Sequence, residues 1–341
     1  MSAAPGDGRA PLVVVLGASG YIGSAVVAQL ARRPVRLRLV SRRPAAPPAA
    51  RGAVVGRATV EQVVADLAVP GAAARAVAGA DAVLDLVAHL DPAVGWRAVE
   101  GGGEELGERL GAGLVREIAG ALRAGRRPAA APPPLVVLAG SASQAGRGGG
   151  VVDGTGPDRP ATVYARQKLA AEKELLAAGA EGVLRGVSLR LPTVYGSGPG
   201  PDGHGVVAAM ARRALAGEPL TVWGTGSVVR DLLHVTDAAA AFTACLDHGA
   251  ELAGRHWPVG TGRPVPVREL FTALARAVAE RTGRPAVPVT SVAPPAAATA
   301  ADAAGTVVDA TAFRAATGWR PRRELPEALA ELAAALADRS L

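Results

Sequence analysis

The 341-residue chain is 49% hydrophobic and carries 37 Lys and Arg against 30 Asp and Glu, a formal net charge of +7. Its mean hydropathy of +0.23 excludes a disordered chain, and a lone cysteine, Cys245, excludes an intrachain disulfide or a cysteine-based metal site. The arginines are scattered, with no basic tail and 3% aromatic residues, so the charge speaks against nucleic acid and for an anionic small ligand.

The length predicts one large α/β unit with a smaller annex, its core built from Ala, Val and Leu. The first element, LVVVLG from Leu12, reads as a buried strand and not as a secretory leader. No later run is long enough to span a bilayer, so a cytoplasmic protein without membrane contact is expected. The strand leads into Gly17-Ala18-Ser19-Gly20-Tyr21-Ile22-Gly23 and the helical SAVVAQLARR. Gly17 lets the chain turn tightly, Gly20 lets backbone approach a pyrophosphate, and Gly23 permits close packing of helix on strand. The helix N-terminus then offers N–H donors and a positive dipole end to the anion. Glycine is abundant in this chain, with 43 copies, so it is the placement between strand and helix that separates a dinucleotide turn from a structural one.

The second strand, VRLRLVSRRP, ends in Ser41, Arg42 and Arg43. A carboxylate at this place bonds the ribose hydroxyls of NAD, whereas arginine accepts the extra 2′-phosphate, so NADPH is expected ahead of NADH; two solvated arginines are the alternative. VEQVVADL follows as a third strand, with Asp66 and Leu67 placed to bond the adenine amine and pack on its ring. DAVLDLVA is the fourth, with His89 just beyond it as a contact to substrate or nicotinamide, or as a structural residue. Strands alternating with Ala-rich helices predict a doubly wound parallel sheet.

A helix is predicted from Glu104 to Arg123, a strand LVVLAGS from Leu135 to Ser141, and a helix from about Ala161 to Ala178. On the last of these Tyr164 and Lys168 stand four apart, hence on one face. A lysine ammonium beside a phenol stabilises the phenolate and lowers its pKa, which makes a neutral-pH acid-base catalyst. A hydroxyl at a nearby strand end should hold the reacting oxygen: Ser141, with Ser143 in reserve. The chain has three tyrosines and only two lysines, Lys168 and Lys173, so this spacing arises by chance in roughly two per cent of such chains. Lys173 is expected on the solvated helix face between Glu172 and Glu174. The strand GVSLRLPTVYG leads to the Gly- and Pro-rich SGPGPDGHG, where His204 could close over a ligand; His234 belongs to the strand LLHV. None of the five histidines has a metal-ligand spacing.

The GASGYIG turn, Ser141, YARQK and LRLPTVYG together resemble the extended short-chain dehydrogenase/reductase family. GTGSVVRDLLHVTDAAAAF (224–242) and TGWRPRREL (317–325) extend the likeness over nearly the whole chain. The resemblance implies a Rossmann domain over 10–190, completed by about 221–260, and a smaller α/β substrate domain from 191–220 and 261–341. It implies cofactor contacts from the glycine turn, Ser19, Tyr21 and Ile22 included, from the Ser41 to Arg43 and Asp66-Leu67 strand ends, and from Val87, Lys168, Leu191 and Pro192. Thr193 should face the sugar of a nucleotide-linked substrate and Arg230 its diphosphate, unless Arg230 pairs with Asp231 or Asp237; His89 and Ser143 complete the substrate contacts.

Within that family the chain looks most like nucleotide-linked 4-keto-6-deoxyhexose ketoreductases of antibiotic deoxysugar pathways, with an epimerase or other carbonyl reductase as the enzymatic alternative. A non-catalytic NADP(H) sensor is the third. Sugar 4,6-dehydratases carry an Asp-Glu pair directly after the catalytic hydroxyl, where this chain has Ala142 and Ser143. Near Gly111 a frequent asparagine is missing, which puts the geometry of that helix in question. A homodimer is a further family-level expectation.

Overall fold

The computed structural model describes residues 9–44, 57–89, 102–128, 130–146, 150–199, 205–295, 298 and 303–338. Valine and leucine runs without a polar face make strands buried on both sides, and all five residues of β1 (Leu12–Leu16) are buried. Along the chain follow β2 (Arg36–Ser41), β3 (Thr59–Val64), β4 (Ala82–Asp85), β5 (Leu135–Ser141), β6 (Gly150–Val152), β7 (Arg185–Leu191) and β8 (Thr193–Tyr195). The remainder comprises β9 (Leu220–Trp223), β10 (Val229–Arg230), β11 (Leu232–His234), β12 (Arg255–Pro258), β13 (Val265–Pro266), β14 (Val289–Val292) and β15 (Thr306–Val308).

Seven strands form one parallel sheet in the order β12-β7-β5-β4-β1-β2-β3. The chain winds outward from β1 in both directions, so a crevice opens beyond the C-terminal ends of β1 and β4, where such sheets receive ligands. One face is covered by the helices Tyr21–Leu30 and Val235–Asp247, with Phe242, Trp257 and Phe313 filling the layer. The other carries the helices Ala72–Val77, Leu114–Ala124 and Val163–Ala180. Cys245 is fully buried in the first of these layers.

A third apolar cluster joins the helices Gly205–Leu215, Val267–Thr282 and Leu325–Ala337 into a smaller unit. The predicted completing segment, 221–260, contributes strands to several sheets. β9 pairs with β14, and β10 with β13 and β15, all in small separate sheets. The chain rejoins the large unit with the helix from Val235 and with β12. Leu220 and Val222 are buried among the C-terminal helices, and a short alternating strand carries no mark of which sheet it will join.

The predicted helix from Glu104 to Arg123 is also interrupted. Helices Glu104–Glu108 and Leu114–Ala124 meet at a π-turn, Arg109–Gly113, in which Gly111 is non-helical at φ −100 and ψ −106. The helix Val163–Ala180 packs against this turn: a Cβ on Gly107 would fall 2.2 Å from Gln167 Oε1, and one on Gly111 3.7 Å from the Gln167 carbonyl.

Candidate active site

The glycine turn closes the C-terminal end of β1. Gly17 lies at φ +80 and donates to the Val40 carbonyl at 2.9 Å, which ties the turn to β2. A Cβ on Gly23 would sit 2.1 Å from the Gly17 carbonyl oxygen, so only glycine lets the helix seat this close to the strand. The helix has no acidic residue in its first turn, leaving its dipole and free N–H groups for an anion. Ser19, Tyr21 and Ile22 are half-buried along the turn and Gly20 is exposed. The Tyr21 hydroxyl donates to the Gly196 carbonyl at 2.6 Å, tying the turn to the loop after β8.

At the end of β2, Ser41 is buried and donates to the Arg43 carbonyl at 2.5 Å, which bends the chain so that Arg42 and Arg43 both face solvent. At the end of β3, Leu67 is buried, while Asp66 is exposed and accepts from the Ala68 N–H at 2.9 Å. A glycine cradle, an uncharged helix start and two solvent-facing guanidinium groups fit a phosphorylated dinucleotide.

The hydroxyl that ends β5 caps a short turn. Ser141 Oγ accepts from the Ser143 N–H at 3.2 Å and lies 2.8 Å from Ser143 Oγ, while the Ser141 N–H donates to Gln144 Oε1 at 2.7 Å. The helix Val163–Ala180 packs against β5 and this turn. Thr162 caps it by accepting from the Ala165 N–H at 3.1 Å. Tyr164 is half-buried and Lys168 buried on that helix. Lys168 Nζ donates to the Ala139 carbonyl at 2.8 Å and reaches the Val87 carbonyl at 3.5 Å, spanning the ends of β5 and β4.

The charge balance differs from expectation. Burial alone, unopposed by a charge or hydrogen bond among the described residues, pushes the Tyr164 phenol up to about 12. Lys168 itself is pushed down by burial, with Asp85 pulling the other way. The Lys168 ammonium bonds the Ala139 carbonyl and is drawn on by Asp85. Asp85, buried at the end of β4, is raised to about 6 by burial against the pull of Lys168 and of the Val87 N–H, which donates to it at 3.1 Å.

The substrate-side candidates lie on several elements. His89 is half-buried just past β4, and Leu191 (buried), Pro192 and Thr193 (both half-buried) span the step from β7 to β8. Arg230 lies on β10, and its guanidinium donates to the Ala304 carbonyl at 2.8 Å. The predicted contact His204 lies outside the described residues. His234 belongs to β11 and caps the helix from Val235. Among the described residues no group of His, Cys, Asp and Glu could hold a metal ion, and no helix is long and apolar enough to cross a membrane.

Glu172 departs from its predicted solvated face. It is 2% exposed and pairs with Arg190, itself 1% exposed; Lys173 does face solvent. Its place four residues after Lys168 puts it on the Tyr164–Lys168 face, a spacing that could have revealed it. Asp85, Gln144 and Arg190 also went unread; for Asp85 the signal was a charged residue at the end of an otherwise apolar strand.

Fold and glycine turn together define a Rossmann-type dinucleotide-binding chain. Residues 13–260 match the NAD dependent epimerase/dehydratase family, and the chain belongs to it. It is 34% identical to UDP-glucose 4-epimerase of Mycolicibacterium smegmatis over 176 residues, 51% of this chain and 53% of that one. It is likewise 34% identical to dTDP-6-deoxy-L-talose 4-dehydrogenase (NAD(P)(+)) of Kitasatospora kifunensis over 186 residues, 52% of this chain and 54% of that one. The chain thus spans about half the length of these curated relatives. Among solved structures, MoeE5 in complex with UDP-glucuronic acid and NAD superposes with a TM-score of 0.74 at 28% identity, covering 97% of this chain and all 100% of its own.

Proposed function

We propose that this protein is an NADPH-dependent ketoreductase that reduces the 4-keto group of a dTDP-linked 4-keto-6-deoxyhexose. The observation that carries the reading is the β5 end: two hydroxyls, Ser141 and Ser143, lie 2.8 Å apart beside the Tyr164–Lys168 helix, with no carboxyl in the turn. A site built this way can polarise and protonate a carbonyl, but it lacks the acid and base that elimination of a sugar hydroxyl needs.

NADPH, when bound by the glycine turn with Arg42 and Arg43 at its 2′-phosphate, supplies the hydride. Ser141 Oγ donates a hydrogen bond to the substrate carbonyl oxygen, and Tyr164 Oη delivers its proton to that oxygen. A phenol raised to about 12 is protonated at neutral pH, the form that a reduction consumes. Lys168 Nζ, held by the Ala139 and Val87 carbonyls, keeps one further proton to share between the phenolate that results and the nicotinamide ribose. Leu191 and Pro192 border the nicotinamide, and Thr193, His89 and Arg230 contact the sugar nucleotide. The Kitasatospora relative, named for oxidising a deoxysugar at position 4, supports this substrate class.

Epimerisation is the second reading, favoured by the Mycolicibacterium relative. Incubation with NADPH and a panel of nucleotide-linked 4-keto-6-deoxyhexoses separates the two. Stoichiometric NADPH loss with a reduced sugar is the expected result. Interconversion of UDP-glucose and UDP-galactose without net NADPH loss would replace the ketoreductase by an epimerase.

A further inference from the structure

Gln144, in the turn that Ser141 caps, is 0% exposed. A primary amide is costly to enclose unless both of its ends are bonded. Here they are: Oε1 accepts from the Ser141 N–H at 2.7 Å, and Nε2 donates to Glu172 Oε2 at 2.9 Å. The amide can point only one way, since the backbone donor requires its oxygen and the carboxylate its nitrogen.

Glu172 is itself anchored on several sides. Ser188 Oγ donates to it at 2.7 Å, and Arg190 donates through Nε at 3.1 Å and Nη2 at 2.5 Å. The same guanidinium holds Asp158 through two bonds of 2.6 and 2.8 Å. His256 Nδ1 stands 3.5 Å from Glu172 Oε1. Glu172 lies one turn after Lys168 on the helix that carries Tyr164. An anchored carboxylate on the Tyr164–Lys168 helix is therefore joined, through a single side chain, to the backbone of the strand-end serine.

We propose that Gln144 is a positioning residue for the reduction: it locks Ser141 to the Glu172–Arg190 pair, so that the serine hydroxyl and the Tyr164–Lys168 helix keep one register. The proposal rests on the ketoreductase reading for its kinetic arm only. Its structural arm, the protection of the Ser141 amide, stands apart from any substrate.

Two variants of the full chain test it. Gln144→Met keeps length and volume but bonds neither partner. Gln144→Glu keeps the acceptor for Ser141 but opposes Glu172 with a second carboxyl, and bonds it only when one proton is shared. The groups facing that proton are Glu172, Arg190, Asp158 and His256, with Lys168 one turn away.

For Gln144→Met, kcat with NADPH and dTDP-4-keto-6-deoxyglucose should fall roughly 10- to 100-fold, while KM for NADPH stays within about twofold. Hydrogen exchange of the Ser141 amide, resolved by fragmentation mass spectrometry, should accelerate about 10-fold or more. Gln144→Glu should match it at alkaline pH and regain activity relative to the parent protein as the pH falls and a proton comes to be shared between the two carboxyls. Should Gln144→Met fail to fold, the Gln144→Glu pH profile decides. Unchanged Ser141 exchange in Gln144→Met, or a Gln144→Glu profile parallel to that of the parent, overturns the proposal. If the parent turns over no keto sugar, the ketoreductase reading falls, and the exchange rates alone decide whether Gln144 fixes Ser141.

Discussion

Replacing Asp85 by asparagine isolates the charge that opposes Lys168. Burial raises the Asp85 carboxyl from 3.8 to about 6, against the pull of Lys168 and the Val87 N–H. A folded value above the unfolded one means that the native state holds this proton more tightly. The stabilisation is complete below about pH 4 and is lost as pH rises through about 6. From 3.8 to about 6, at ~1.4 kcal/mol per pH unit, the loss is on the order of 3 kcal/mol. Asparagine does not titrate, so the stability of Asp85→Asn relative to the parent should rise by about that much between roughly pH 4 and pH 7. Urea unfolding across this window measures it. The lowered carboxylates Glu117, Asp153, Asp247 and Asp309 titrate in both proteins and cancel in the difference. A difference that stays flat would show Asp85 ionising at an ordinary value, and would refute the charge balance described for Lys168.

Tyr164→Phe should lower kcat by about 10²- to 10⁴-fold, the scale of a lost general acid, while NADPH fluorescence titration shows cofactor affinity unchanged. Arg42→Ala with Arg43→Ala should weaken NADPH by about 10-fold or more, ~1.4 kcal/mol, and leave NADH unaffected; calorimetric titration of both cofactors checks it. Gly23→Ala pushes a methyl to 2.1 Å from the Gly17 carbonyl, so thermal unfolding should show a loss of about 1–3 kcal/mol and neither cofactor should raise the midpoint.

β1 and β4 were legible because their apolar runs are buried throughout, and β2 and β3 because their β-branched and leucine residues end in recognisable turns. The glycine turn was legible because each glycine answers a separate steric need, seen here at Gly17 and Gly23. The Gly111 break was not, because Gly111 and Gly107 pack against Gln167 of another helix, which no local periodicity records. Glu172 read as solvated beside Lys173, yet its partners Arg190 and Ser188 lie 18 and 16 residues away on β7. The expected lowering of Tyr164 rests on adjacency on a helix face, whereas the burial that raises the phenol is set by tertiary packing that spacing does not record. The partners of β9 and β10 were not legible, because strands this short are placed by tertiary pairing.

Following the transferred hydrogen tests the ketoreductase most directly. With NADPH deuterated at both C4 positions and dTDP-4-keto-6-deoxyglucose, NMR of the product should show one deuterium at the sugar C4 for each NADPH consumed. A sugar without deuterium at C4, or one inverted while the cofactor keeps its label, would contradict it.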